Sequence, residues 1–135
     1  MNDHAYRVSI RIKQPSIDAG RFDRELSLNA THSWSVGQIH PRTGNPHIET
    51  YWCYSYDNEE SSLVGIDSKL AQICGVIAQN KLLMREISKT GGSCTLRVAL
   101  FLGGMGGFQL QPHTVWLLAG LHLGLEVEII PKTKT

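Results

Sequence analysis

The sequence predicts an α+β fold, in which a single-layer, mainly antiparallel β-sheet carries helices packed on one face. Three patterns support this prediction. Residues 6–13 and 93–102 alternate apolar and polar side chains as half-buried strands do, and residues 61–89 repeat apolar side chains at helical intervals. The length of 135 residues and the apolar content of 41% suit one domain, spanning residues 1–135, with its own core.

The N-terminal part is predicted to form a strand and then a short helix. The strand over residues 6–13 presents one continuous apolar face, and Pro15 ends it because proline cannot donate to a sheet ladder. Asp18 is placed to cap a helix over residues 19–28, since aspartate readily accepts hydrogen bonds from the first free amides of a helix.

A long loop is predicted between two further strands. Residues 31–36 form the first strand, and residues 49–56, which are rich in aromatic side chains, form the second. If Trp52 faces the core, then Cys53 points to the opposite face of the sheet. The stretch over 37–50 is expected to be a polar surface loop because it contains the turn formers Pro41, Gly44, Asn45 and Pro46.

The C-terminal half is predicted to alternate helices and strands. The helical segment over 61–89 is expected to break at Asn80, and a later helix over 112–123 leads into a last strand over 125–129. On the sheet face without helices, cations and carboxylates of neighbouring strands are expected to meet. These are Arg7, Arg11, Arg97, Glu126 and Glu128.

A glycine run over residues 103–107 raises the question of a phosphate loop. A dinucleotide fingerprint needs a third glycine where Gln109 stands, and a P-loop needs a Gly-Lys-Ser/Thr step that does not follow here. The run is therefore predicted to be a turn in which glycine supplies positive φ. A short strand over 108–110 and a helix opened by Pro112 are expected to follow it.

Composition argues against several function classes. The formal net charge is +1 without a concentrated basic patch, so no nucleic-acid partner is expected. The apolar runs are shorter than the roughly 18 residues that a membrane span needs, and no secretory signal is predicted at the start. The odd number of cysteines, three, is typical of reduced thiols and predicts a cytoplasmic protein.

No catalytic constellation is found in the sequence. It lacks the HExxH and CxxC spacings of zinc sites and the Gly-x-Ser-x-Gly elbow of serine hydrolases. Cys74 and Cys94 lie on apolar faces, and Cys53 could pair with a histidine only if it is accessible. No catalytic residue, cofactor or metal ligand is therefore predicted, and the chain is not expected to be an enzyme; metal binding by the loop histidines stays open.

Core and turn residues along nearly the whole chain resemble one known family. They include residues 6–12, 26–28, 34–37, Trp52, 63–77, 107–110, 117–121 and 125–127. With these residues the chain resembles Domain of Unknown Function 4279, a family of small bacterial proteins. The resemblance implies a module like the small immunity-type and interaction proteins of bacterial gene neighbourhoods, and it carries no established activity. The loop before Tyr51 is longer than the resemblance leads us to expect.

The sequence therefore predicts a non-enzymatic protein-binding module, such as an immunity or accessory protein. Its expected partner is a protein, for example a toxin or effector encoded nearby, and a homodimer is compatible with the sequence. The alternative is a small-ligand-binding protein or an enzyme with its site between the sheet and the 37–50 loop. The predicted partner-binding residues are His40, Arg42, Asn45, His47 and Tyr51.

Overall fold

A five-stranded β-sheet organises the chain, for which a computed structural model describes residues 4–56 and 62–132. The strand order is β2-β3-β1-β4-β5, and every neighbouring pair is antiparallel except β4 with β5. This arrangement confirms the predicted α+β class and the mainly antiparallel sheet. The strands are β1 (Ala5–Gln14), β2 (His32–Trp34), β3 (Thr50–Ser55), β4 (Ser93–Leu102) and β5 (Leu123–Pro131).

Helices cover one face of this sheet. The residues described form α1 (Ala19–Leu26), α2 (Ile66–Ile77), α3 (Lys81–Lys89) and α4 (Pro112–Gly120). The predicted break at Asn80 is confirmed, since a 3₁₀ turn over Ala78–Asn80 separates α2 from α3. The expected start of this segment at residue 61 lies outside the described residues.

The core lies between the helices and the inward face of the central strands. Ile12 and Leu96, on adjacent strands β1 and β4, are fully buried, as are Phe22 of α1 and Leu70 of α2. Trp52 of β3 joins them, and its indole N–H donates a hydrogen bond of 2.9 Å to Asp23 Oδ1. The opposite face of the sheet, called the open face below, carries the charged side chains.

The C-terminal helix and strand differ from the prediction. The helix expected over 112–123 ends at Gly120, because His122 adopts a left-handed φ of 57° and Leu123 already pairs with Cys94 of β4. The strand expected over 125–129 is correspondingly longer. It runs parallel to β4 because α4 carries the chain back across the sheet before β5 begins.

The cap of α1 also differs from expectation. Asp18 occupies the N-cap position, but its side chain makes no capping hydrogen bond. The first amide of the helix, on Ala19, donates instead to Ser35 Oγ at 2.9 Å. Helix α1 is therefore tied to the chain that follows β2.

Within the glycine run, close approach requires glycine at Gly106, and no glycine of the run has a positive φ. Among the described residues, the glycines with positive φ are Gly37, Gly44 and Gly91, all outside the run. The loop closes around His4: the Gly103 N–H donates to Nδ1 at 3.2 Å, and Nε2 lies 3.0 Å from the Met105 carbonyl oxygen. A Cβ on Gly106 would lie only 2.9 Å from the His4 ring.

The prediction of a short strand over residues 108–110 is wrong. These residues pair with no strand in the part of the chain that the structure describes. Phe108 and Leu110, which are two positions apart in the sequence, both pack against the core, but they do so from a loop.

None of the helices within the described ranges is long and apolar enough to cross a membrane.

Candidate functional site

The connection between β2 and β3, residues 35–49, is a folded hairpin and is called the β2–β3 loop below. Ile39 and Pro46 form an antiparallel bridge, and the His47 N–H donates to the Gln38 carbonyl oxygen at 2.8 Å. The Gly44 N–H donates to His40 O at 2.9 Å, and Gly44 has a positive φ of 72°. Glycine permits this conformation, so the turn closes without steric strain.

Two hydroxyl side chains, one buried and one half-buried, anchor the base of the β2–β3 loop. Thr50 is fully buried, and its Oγ1 accepts a hydrogen bond of 2.9 Å from the Val36 N–H. Ser35 Oγ holds the first amide of α1, as described above. The loop is therefore fixed at once to the sheet and to a helix.

Four aromatic side chains meet at the base of this loop and are called the aromatic stack. Trp34 lies between two rings: its centroid is 4.6 Å from that of His47 and 4.8 Å from that of Tyr51, with interplanar angles of 16° and 27°. His40 completes the stack, with its ring centroid 5.2 Å from that of His47. Trp34 and Tyr51 meet because they are direct partners in the β2–β3 ladder, which places both side chains on one face.

The structure brings together part of the predicted contact set. His40, His47 and Tyr51 belong to the aromatic stack, whereas Arg42 and Asn45 are exposed in the turn of the loop. The sequence prediction missed Trp34. The available signal was its position in the predicted strand over 31–36, but only the register shows that it faces Tyr51.

A shallow cleft of about 330 Å³ lies between β2 and the loop. Trp34, His40 and His47 line it, and the exposed side chain of Ile39 contributes an apolar surface. Its lining consists of Ser33, Trp34, Gln38, Ile39, His40, Pro41 and His47. The cleft therefore offers flat aromatic surfaces beside an exposed apolar side chain.

The open face of the sheet continues from the aromatic stack toward β5. Tyr51 is paired with Lys13, and Cys53 with Arg11, so cationic side chains stand beside the stack. Arg97 of the neighbouring β4 continues this cationic row across the sheet. Lys13 thus adds a positive charge next to the stack, whereas Arg11 and Arg97 lie within reach of the β5 glutamates.

The predicted pairing of arginines and glutamates on the open face is confirmed for Arg11 and Arg97. Glu126 Oε1 lies 3.2 Å from Arg97 Nε and 3.6 Å from Arg11 Nη1, and Glu128 also pairs with Arg97. Arg7 lies over the Phe101 ring, with its guanidinium carbon 5.7 Å from the ring centroid. The negative charges of the exposed β5 glutamates are thus compensated by arginines of the same chain.

Tyr51 has a perturbed hydroxyl. Partial burial raises its pKa, and the neighbouring Cys53 sulfur adds to this through a hydrogen bond, whereas Arg11 and Arg97 act in the opposite direction. The hydroxyl therefore stays protonated at neutral pH.

The three cysteines are buried thiols. Cys53 points to the open face, as expected once Trp52 faces the core, but is only 6% exposed. Burial raises the pKa of Cys74, and it raises the pKa of Cys94 to about 12. His32 is the ladder partner of Cys53, yet no histidine within residues 4–56 and 62–132 hydrogen-bonds to that sulfur.

Metal ligands do not converge at the loop. In the part of the chain that the structure describes, no group of three or more histidine, cysteine, aspartate or glutamate side chains is arranged to hold a metal ion. His40 instead uses Nδ1 to accept a hydrogen bond of 3.0 Å from the Arg42 N–H, which stabilises the turn.

Comparison with known proteins identifies the family of this chain. No curated protein and no solved structure gives a significant match. Residues 4–132 match the family described as Domain of unknown function (DUF4279), a range that includes the whole sheet, the four helices described above and the β2–β3 loop. The resemblance seen in the core and turn residues is therefore confirmed, and the protein belongs to the Domain of unknown function 4279 family.

Proposed function

We propose that this protein is a non-enzymatic protein-binding module, which acts as a bacterial immunity or accessory protein on a partner such as a toxin or effector encoded nearby. The observation that carries the proposal is the aromatic stack at the edge of the sheet. Tryptophan, tyrosine and arginine are the residues most enriched in binding hot spots, because they bury large areas and still offer polar contacts. Here Trp34 and Tyr51 are stacked together, with Arg42 exposed in the turn above them.

The surroundings of the stack favour a protein partner. Ile39 and Ile48 are 58% and 91% exposed, so the loop presents apolar side chains that a partner surface can cover. The cleft is shallow and open on the solvent side, which suits an inserted side chain of a partner. The partner chemistry that fits is an apolar patch with acidic groups facing Arg42, Lys13 and the protein's loop histidines.

The loop is preorganised for binding. Its internal hydrogen bonds and the Thr50 anchor fix the backbone before any partner arrives. A rigid loop loses less conformational entropy on association, so more of the contact energy contributes to affinity.

The test is co-expression of the tagged protein with the products of neighbouring genes, followed by affinity purification and mass spectrometry. We expect one neighbouring product to be retained by the wild type, lost with Trp34→Ala and weakened with Arg42→Ala. Leu82→Ala is the matched control, because Leu82 is 77% exposed on α3, away from the loop. Circular dichroism verifies that each variant is folded. Recovery of no neighbouring product by the wild type would contradict the proposal.

The second candidate is a small-ligand-binding protein or an enzyme that uses the same cleft. The cleft of about 330 Å³, with two histidines at its edge, is the observation that favours it. Native mass spectrometry of the protein, purified without denaturation, tests this candidate. A bound small molecule that is present on the wild type and absent from Trp34→Ala would support it over protein binding.

A further inference from the structure

The outer edge of β5 is a long strand edge without a partner among the described residues. β5 has nine residues and pairs with β4 on one side, and the sheet order ends with it. Leu125, Val127 and Ile129 are 38%, 43% and 63% exposed although they share the face of the buried Leu96 and Val98. The helices therefore leave an apolar stripe along this edge uncovered.

This edge lacks most of the devices that keep sheets from pairing. Exposed edges are usually shortened, bulged, or protected by lysine and proline. β5 contains no lysine, and its only proline is Pro131, the last residue of the strand. Its continuous register with β4 from Leu123 to Pro131 shows no bulge.

We propose that a second copy of this chain pairs with β5, antiparallel and about a two-fold axis at Val127. Val127 is the middle residue of the strand, so this register pairs all nine residues of each copy. Leu125 then faces Ile129 of the second copy, and the two apolar stripes meet on the helix side of the sheet. A two-fold interface requires such a self-complementary surface.

Charge on the other side of the strand permits this pairing. In the proposed register Glu126 faces Glu128 of the second copy, and like charges in this position normally oppose pairing. Each copy, however, brings the arginines that already bind these carboxylates: Arg97 contacts both glutamates and Arg11 contacts Glu126. Two cations and two anions per copy leave no net charge at the interface.

The assembly would join two sheets into one of ten strands with β2 at both ends. Ten strands have nine spacings of about 4.8 Å, which separates the two β2 edges by roughly 43 Å. The two aromatic stacks would therefore lie far apart, and each could contact its own partner molecule. The inference does not depend on the proposed function, because it concerns the opposite edge of the sheet.

The first test is the mass of the full chain in solution, measured by light scattering after size exclusion over a range of concentrations. We expect a species of twice the 15.0 kDa chain mass. Ile129→Lys should raise the dissociation constant roughly a hundredfold, because both copies lose one buried isoleucine. Leu82→Lys, which changes an exposed leucine of α3, should leave the mass unchanged.

The second test is a cross-link that does not depend on variant stability. Val127→Cys places two thiols at the proposed axis, where opposing Cα atoms are about 4.5–5.5 Å apart and a disulfide can form. The native cysteines are buried and do not compete. We expect oxidised Val127→Cys to form a disulfide-linked dimer and Leu82→Cys to stay monomeric. A wild type that remains at the monomer mass, an open-ended assembly, or equal cross-linking of the two variants would overturn the proposal.

Discussion

Replacing Thr50 with valine tests whether one partly buried hydrogen bond holds the β2–β3 loop in place. Thr50 is fully buried, and its Oγ1 accepts the Val36 N–H at 2.9 Å. Valine has nearly the same shape, so the surrounding packing is kept while the acceptor is removed. The Val36 amide, at the start of the loop, is then left without its partner.

The expected cost follows from this loss. A fully buried amide that loses its only acceptor costs about 1–3 kcal/mol, and Val36 is half-buried, so the lower end of this range, about 1 kcal/mol, applies. We expect the free energy of unfolding of Thr50→Val to fall by about that amount. Because the lost bond lies at the base of the loop, much of the effect should be local opening. Each decrease of 1.4 kcal/mol in the free energy of local opening makes amide exchange about tenfold faster.

Urea denaturation and hydrogen exchange measured by mass spectrometry give the two quantities. The amides of Gly37, His40 and His47, which are hydrogen-bonded within the loop, should exchange faster in Thr50→Val. Thr50→Ser is the matched control: it keeps the acceptor and loses one buried methyl group, about 0.8 kcal/mol, without releasing the loop. A Thr50→Val protein with wild-type stability and wild-type loop exchange would refute the reasoning.

Three further predictions concern the rest of the molecule. Gly92→Ala should destabilise the fold by about 1–3 kcal/mol, because its Cβ would lie 2.6 and 3.0 Å from two backbone carbonyl oxygens. Gly75→Ala, in open space on α2, should stabilise it by about 0.5–1 kcal/mol; urea denaturation checks both, and equal effects would be inconsistent with this geometry. Cys94 should resist Ellman's reagent at pH 8 in the folded protein and react in urea, since burial raises its pKa to about 12; fast reaction in the folded state would contradict this. The hydrogen bond from Arg21 lowers the pKa of Glu86, so the stability from this pair is present above the unfolded-state pKa and is lost as the pH falls through the lower folded-state value. A double-mutant cycle with Arg21→Met and Glu86→Gln should therefore show coupling at pH 7 that disappears in strong acid, and coupling independent of pH would count against it.

The candidate site was only partly predictable from the sequence. Turn formers between two strands indicated a surface loop, and three of the predicted contact residues, His40, His47 and Tyr51, do lie in the aromatic stack. Trp34 was missed because a ring becomes a stacking partner only when the register of two strands is known. That register depends on how the loop folds, including its bridge between Ile39 and Pro46.

The glycine run is a second case in which a contact between distant residues could not be predicted from the sequence. The sequence motif argued against a phosphate loop, and the predicted role of the glycines, a positive φ, is wrong. Their neighbour is His4, which precedes Gly103 by 99 positions and meets it only in the folded chain. The alternation of Phe108 and Leu110 was read as a strand, although these residues only pack a loop against the core.

By itself, the sequence determined the type of the five strands and four helices described above, the bounds of β4, the break at Asn80 and the class of fold, because hydrophobic periodicity and turn chemistry are local properties. Only the tertiary structure decided the strand order, the parallel pairing of β5, the cap that Ser35 supplies to α1 and the meeting of Trp34 with Tyr51. These features join residues that are distant along the chain. They depend on which surfaces pack together, and no short stretch of sequence carries that information.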